Sequence, residues 1–157
     1  MKLDNANILI TGGTLGIGRA TAKLLIEHGA NVAITGRDAS RTQEAAAELG
    51  AMAITADVGN SADVQRTFDE FMNRYGRLDV LINNAGIGLT RGLDQLTVED
   101  FETIYRVNVF GAAMMAGRPR FLNSRMPATS STLVLRQPQT GMPAVRYMPA
   151  PKPPSAA

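Results

Sequence analysis

The sequence predicts an α/β fold, a doubly wound parallel sheet with helices on both faces, followed by a tail without a core of its own. Three observations carry this prediction. Four short apolar runs alternate with stretches of helical periodicity over the first 116 of 157 residues. A glycine-rich turn joins the first run to the first helix. The composition then breaks. Residues 1–116 hold ten Lys and Arg against fourteen Asp and Glu, a net of −4, whereas residues 117–157 hold six Lys and Arg and no acid. All eight prolines fall from Pro119 onward.

The apolar runs are Asn7–Thr11, Asn31–Thr35, Ala51–Ala56 and Leu78–Asn83. They are rich in Val and Ile and do not alternate with polar residues, as parallel strands covered on both faces do not. Between them, Ile17–His28 sets Ile17, Ala20, Thr21, Leu24 and Leu25 on one stripe and stops at Gly29. Ala39–Leu49 closes at Gly50, and Ser61–Tyr75 opens on a serine cap and closes at Gly76. A fourth helix starts at Thr97, with Glu99 and Asp100 in the first turn where the helix dipole favours acids. It is expected to run through Asn108 to about Met115. The order βαβαβαβα calls for right-handed crossovers.

Composition closes several routes. Without Cys there are no disulfides, thiolate zinc sites or cysteine nucleophiles. The one histidine, His28, excludes a multi-His metal cluster and sits at a helix end, where a cation suits the dipole. No apolar run approaches the ~18 residues of a membrane span. Met1 leads into polar residues rather than a secretory segment, so a cytoplasmic location is expected. The sequence pI near 9.3 describes the tail. Its arginines are spread out and not interleaved with aromatics, which argues against a nucleic-acid partner.

The turn Thr11-Gly12-Gly13-Thr14-Leu15-Gly16-Ile17-Gly18 lies between the first strand and the first helix. A helix start with free N–H groups attracts a pyrophosphate. Gly12 permits the tight turn, Gly16 lets a ligand approach the backbone, and Gly18 allows close packing. No Gly-Lys-Ser/Thr follows, which argues against an ATP-binding P-loop. Arg37 follows the second strand, where an acid would bind a ribose 2′-hydroxyl. An arginine there pairs with a 2′-phosphate instead, so NADP is expected over NAD. Asp57-Val58 and Asn83-Asn84-Ala85-Gly86 follow the third and fourth strands at the same sheet edge.

These motifs, with Val107-Asn108-Val109, resemble the short-chain dehydrogenase/reductase family in its T-G-x-x-x-G-x-G branch. The resemblance covers about residues 3–116. It implies a Rossmann-type fold and NAD(P)-dependent hydride transfer between a carbonyl and an alcohol. By that likeness Gly12, Thr14, Gly16, Ile17 and Gly18 line the pyrophosphate, and Asp57 and Val58 flank the adenine. Asn83, Ala85 and Gly86 line the inner ribose, and Asn108 is the catalytic Asn that holds a water in the proton relay. Residues 1–116 then form the dinucleotide-binding half-domain, with about four strands in the order 3-2-1-4. Its fourth strand is expected to be an exposed edge open to self-association. The substrate is not legible.

The family's chemistry also needs a Tyr with a Lys four residues on, and a Ser that orients the substrate oxygen. Four residues after Tyr75, Tyr105 and Tyr147 stand Asp79, Val109 and Pro151. Lys152 is five past Tyr147, across a stretch whose prolines prevent a regular helix. Ser130 and Ser131 lie near the place of the family's serine, but the segment reads as irregular apart from Thr132–Leu135. The expectation is a catalytically incomplete fragment with an irregular Pro- and Arg-rich tail at 117–157. The alternatives are a pure NADP(H)-binding fragment and a basic interaction arm on a degenerate scaffold. An out-of-frame origin from about Gly117 is expected for the tail. Tyr147–Pro153 is encoded TAY ATG CCN GCN CCN AAR CCN, which read from the third base can spell Tyr-Ala-Ser-Ser/Thr-Lys-Ala.

Overall fold

The computed structural model describes residues 3–88, 93–121 and 131–134. Five strands, β1 (Asn7–Ile10), β2 (Asn31–Gly36), β3 (Met52–Thr55), β4 (Val80–Asn83) and β5 (Ser131–Val134), form one sheet in the order β3-β2-β1-β4-β5. All four pairings are parallel. The helices are α1 (Gly16–Glu27), α2 (Ala39–Leu49), α3 (Ser61–Tyr75), α4 (Val98–Tyr105) and α5 (Ala112–Phe121). A 3₁₀ turn at Leu93–Gln95 precedes α4, and a π-helical turn, Arg106–Gly111, joins α4 to α5.

Strand periodicity divides the core between the two faces of the sheet. Ile8, Ile10, Val32 and Ile34 point to the α1–α2 side, where Ala22, Ala45 and Ala46 meet them. Leu9, Ala33, Ile54 and Leu81 point to the other side, packed on Val64, Phe68 and Phe71 of α3 and Met115 of α5. Small alanines on one face and two phenylalanines on the other fill the two layers.

Four expectations need correction. First, β4 is not an edge. Val80 to Asn83 pair with Ser131 to Val134, so β5 takes up the open side of β4. Unpaired ladder groups on a strand are costly, and Thr-Leu-Val suits a pleated surface. The run that reads as strand-like, Thr132–Leu135, is strand over Ser131–Val134. Second, the cap of α3 is Asn60, whose Oδ1 accepts from the N–H groups of Ala62 (2.9 Å) and Asp63 (3.3 Å). Third, the helix that starts at Thr97 is broken by the π turn. Fourth, α5 continues to Phe121, past position 116. The rest of the tail, with Ser130, Tyr147 and Lys152, lies outside the described residues.

Candidate functional site

β1 ends against β4, and the chain turns at once. Gly12 has φ +68°, and a Cβ there would lie 2.8 Å from the Ala85 Cα. The turn is therefore pressed on the loop after β4, and glycine satisfies both the conformation and the contact. Gly18, on the first turn of α1, faces the Gly12 carbonyl and the Asn84 amide so closely that any side chain would collide with them. Its close packing is with the turn itself.

Asn84 ties this contact together. Its Nδ2 donates to the carbonyls of Thr11 (3.0 Å) and Gly12 (2.9 Å). In return the Thr11 hydroxyl accepts from the N–H groups of Asn84 and Ala85, both at 3.0 Å. Asn84 is 3% exposed, and its Oδ1 has no partner among the described residues. Asn83 points elsewhere, its Nδ2 donating to the Ala112 carbonyl at 3.4 Å. Thr11 and Asn84 both lie inside the sequence motifs, but the motifs assign neither side chain a role.

α1 begins differently from its neighbours. Asp38, Asn60 and Thr97 cap α2, α3 and α4 with side-chain oxygens. The residue before α1 is Leu15, which supplies no cap, and the first turn has no acid. The free N–H groups of that turn are left for an outside acceptor. Gly16, at φ +56°, has nothing within 4 Å of where a Cβ would stand, so the space before the helix start is open.

A cleft of about 180 Å³ lies along the carboxyl ends of β1 to β4. Of the residues singled out by sequence, Gly12, Thr14, Arg37, Asp57, Val58, Ala85 and Gly86 line it. Gly16, Ile17 and Gly18 form the adjoining helix start, Ile17 being 44% exposed. Asn83 and Asn108 stand behind the wall. Leu15, Gly36, Asn84 and Val107, all within or beside the motifs, line it too, and Thr35, Ala56 and Ile87 complete the lining. Arg37 is exposed and makes no hydrogen bond or ion pair among the described residues. Asp57 is fixed at both ends: its Oδ1 accepts from the Gly59 N–H at 2.8 Å, and its own N–H donates to Asp63 Oδ2 at 2.9 Å. That N–H, and then Arg66 at 2.7 Å, hold the Asp63 carboxyl below the usual aspartate range.

The π turn aims Asn108 back at the loop after β4. Asn108 Oδ1 accepts from the Ile87 N–H, and Nδ2 donates to the Ile87 carbonyl, both at 2.8 Å. The amide mimics a strand neighbour and holds Ile87 in the cleft wall. Gly111, the last residue of the turn, approaches Val58 so closely that a Cβ would lie 2.9 Å from Val58 Cγ2 and 3.0 Å from its carbonyl.

Residues 6–122 match the family model described as short chain dehydrogenase. Sorbitol dehydrogenase of Cereibacter sphaeroides is 37% identical over 117 residues, which is 73% of this chain and 46% of that protein. A 3-ketoacyl-(acyl-carrier-protein) reductase from Brucella melitensis, complexed with NADH, superposes with a TM-score of 0.72 at 35% identity over 74% of this chain and 49% of that one. A short chain dehydrogenase from Burkholderia cenocepacia J2315, in complex with NADP, gives 0.77 at 33% identity over 85% and 56%. The chain thus spans about half the length of the relatives it matches. Glycine turn, parallel sheet and matched sequence agree with one another, and the chain belongs to the short-chain dehydrogenase family of oxidoreductases.

Proposed function

We propose that residues 1–116 bind NADP(H) in the cleft at the carboxyl ends of β1 to β4, and that this chain by itself does not complete a carbonyl reduction. The observation that carries the reading is the uncapped start of α1, opening beside a cleft whose far wall offers an unpaired Arg37. In this reading the glycine turn receives the pyrophosphate with the N–H groups of Gly16, Ile17 and Gly18 and the Thr14 hydroxyl, whereas the Gly13 N–H is spent on the Thr35 carbonyl. Arg37 pairs with the 2′-phosphate, which favours NADP over NAD. Asp57 keeps one carboxylate oxygen free for the adenine amino group, and Val58 packs on the ring. Ala85 and Gly86 line the inner ribose, with Asn83 anchoring the strand beneath them. The donor set fits a doubly anionic linker and a phosphate, and the orphaned Asn84 Oδ1 fits a bound water or hydroxyl at the cleft.

The bound dinucleotide would supply a hydride. What the chain would have to add is a proton at the substrate oxygen. No Tyr of this sequence is followed by Lys four residues on. Asn108 acts here by positioning, since both atoms of its amide hold Ile87. The cytoplasmic location expected from the sequence belongs to the same reading.

Fluorescence titration of the full chain tests it. NADPH should bind more tightly than NADH. Arg37→Ala should weaken NADPH at least tenfold, the worth of one charged hydrogen bond of about 1.5–3 kcal/mol, and leave NADH unchanged. Equal affinities that ignore Arg37→Ala would overturn the assignment. With simple ketones, NADPH consumption should not exceed background. Sustained turnover abolished by Asn108→Ala would show the chain to be complete.

A further inference from the structure

We infer that the message changes reading frame close to codon 117, and that the frame left unread encodes a hydroxyl at the end of β5 and a Tyr-x-x-x-Lys helix, the missing half of the candidate site. This rests on the cofactor reading above and names the groups that site lacks.

The first support is in α5. Its opening, Ala112-Ala113-Met114-Met115-Ala116, packs on the sheet, with Met115 1% exposed. The next residues are Gly117-Arg118-Pro119-Arg120. A proline there has no N–H for the helix ladder, and Gly117 has nothing within 4 Å of a Cβ position. Past Ala116 the sequence stops reading as a helix interior, although the helix runs to Phe121.

The second support is the place of β5. Val134 stands opposite Asn83, so the chain leaves β5 at the edge of the sheet that carries Thr11, Arg37 and Asp57. Ligands of such sheets lie at that edge. This chain places Leu135 and Arg136 after the strand.

The third support is the code. Every Met after Met115 is followed by Pro: Met126-Pro127, Met142-Pro143 and Met148-Pro149. Read from the third base, each ATG CCN pair yields GCC, alanine, with no freedom. Pro138 and Pro153 follow Gln137 and Lys152, whose codons end in a purine, so both become Ala or Thr. Five of the eight prolines therefore vanish of necessity from the shifted frame. Two of the five, Pro149 and Pro153, lie in the Tyr147–Pro153 stretch and become Ala and Ala or Thr, residues that a helix accepts. The junctions Thr129–Ser130 and Ser130–Ser131 read Ile, Val, Leu or Phe when the serines use TCN codons, which keeps an apolar strand beside β4. The junction Val134–Leu135, at the carboxyl end of that strand, reads Ser, Thr, Ala or Pro when the leucine uses CTN. The junction Tyr147–Met148 reads Tyr or His. Four codons later, Pro151–Lys152 reads Lys, Gln, Glu or stop.

Tyr and Lys four apart share one helix face. There the tyrosine O–H bond would break and its proton pass to the carbonyl oxygen as the carbonyl carbon accepts hydride from NADPH. The carbonyl would be reduced to an alcohol by the hydride that a bound dinucleotide would supply, and the phenolate would recover a proton from solvent. The Lys ammonium stabilises the phenolate.

Sequencing the coding DNA across codons 112–157 decides the matter. We expect TAT for Tyr147 and CCA for Pro151, which give TAT and AAA in the shifted frame, with no stop at the Leu122–Asn123 junction. TAC at codon 147 gives His, any other proline codon at 151 gives Gln, Glu or stop, and each of these outcomes overturns the inference. A chain restored by inserting one base at codon 116 should then reduce ketones with NADPH and lose that activity when its tyrosine is replaced by Phe. Matching codons in a restored chain that binds no NADPH would leave the frame inference standing and sink the cofactor reading instead.

Discussion

The Thr11 hydroxyl accepts two backbone N–H groups, those of Asn84 and Ala85, at a residue 1% exposed. Valine has nearly the same shape and no lone pair. Each buried donor left without a partner costs about 1–3 kcal/mol. Thr11→Val should therefore lower stability by about 2–6 kcal/mol, read as a fall in the urea midpoint at constant slope. Thr11→Ser keeps the acceptor and should lose only the roughly 1 kcal/mol of a buried methyl group. If valine were tolerated as well as serine, the turn would be held by its glycines alone. The glycines were legible because the turn and the close approach to Ala85 tolerate so few other residues. The part Thr11 plays was not, since its place at the head of the motif does not say that its hydroxyl reaches across to the loop after β4. Asn84 was hidden for a related reason: successive residues of a strand face opposite ways, and the pair Asn83-Asn84 does not say which one turns toward the glycine loop.

Helices and strands differ in how much of themselves they write into the sequence. Ala39–Leu49 and Ser61–Tyr75 form over the expected residues because glycine stops mark their ends: Gly50 and Gly76 both take positive φ. α4 begins where a capping box between Thr97 and Asp100 starts it. The π turn leaves no such mark, because widening one turn by a residue needs no special residue type. β5 was half legible: Thr132–Leu135 reads as strand-like, but its pairing with β4, some 50 residues away, is decided by tertiary context. The consequence of the π turn is the double bond from Asn108 to Ile87. Asn108→Ala removes both contacts without touching the cleft lining. The Ile87 amide should then exchange with solvent about tenfold faster, the worth of a hydrogen bond of about 1.5 kcal/mol, while amides of β1 stay unchanged. Unchanged exchange at Ile87 would mean that the loop is held by its other neighbours.

Across the whole molecule, apolar surface is unevenly covered. Phe68 and Phe71 of α3 are 1% and 0% exposed, whereas Phe101 and Phe110 are 50% and 58% exposed. Val98, Tyr105 and Val109 are also exposed, and α4 buries none of its residues. Both helices carry aromatic residues at helical spacing, so the sequence alone gives them the same standing. Only the sheet decides between them, since α3 lies on it and α4 projects from the π turn. Contiguous apolar surface of this kind binds hydrophobic dyes and promotes association. Replacing Phe101 and Phe110 together by Lys should therefore reduce dye fluorescence and light scattering. It should shift stability by no more than about 0.5 kcal/mol per site, as surface changes do. Phe71→Ala, in the packed layer, should cost about 3–5 kcal/mol. The contrast is the test, because lysines at 101 and 110 that unfolded the chain as Phe71→Ala does would place this face of α4 and the π turn inside the fold rather than on its surface.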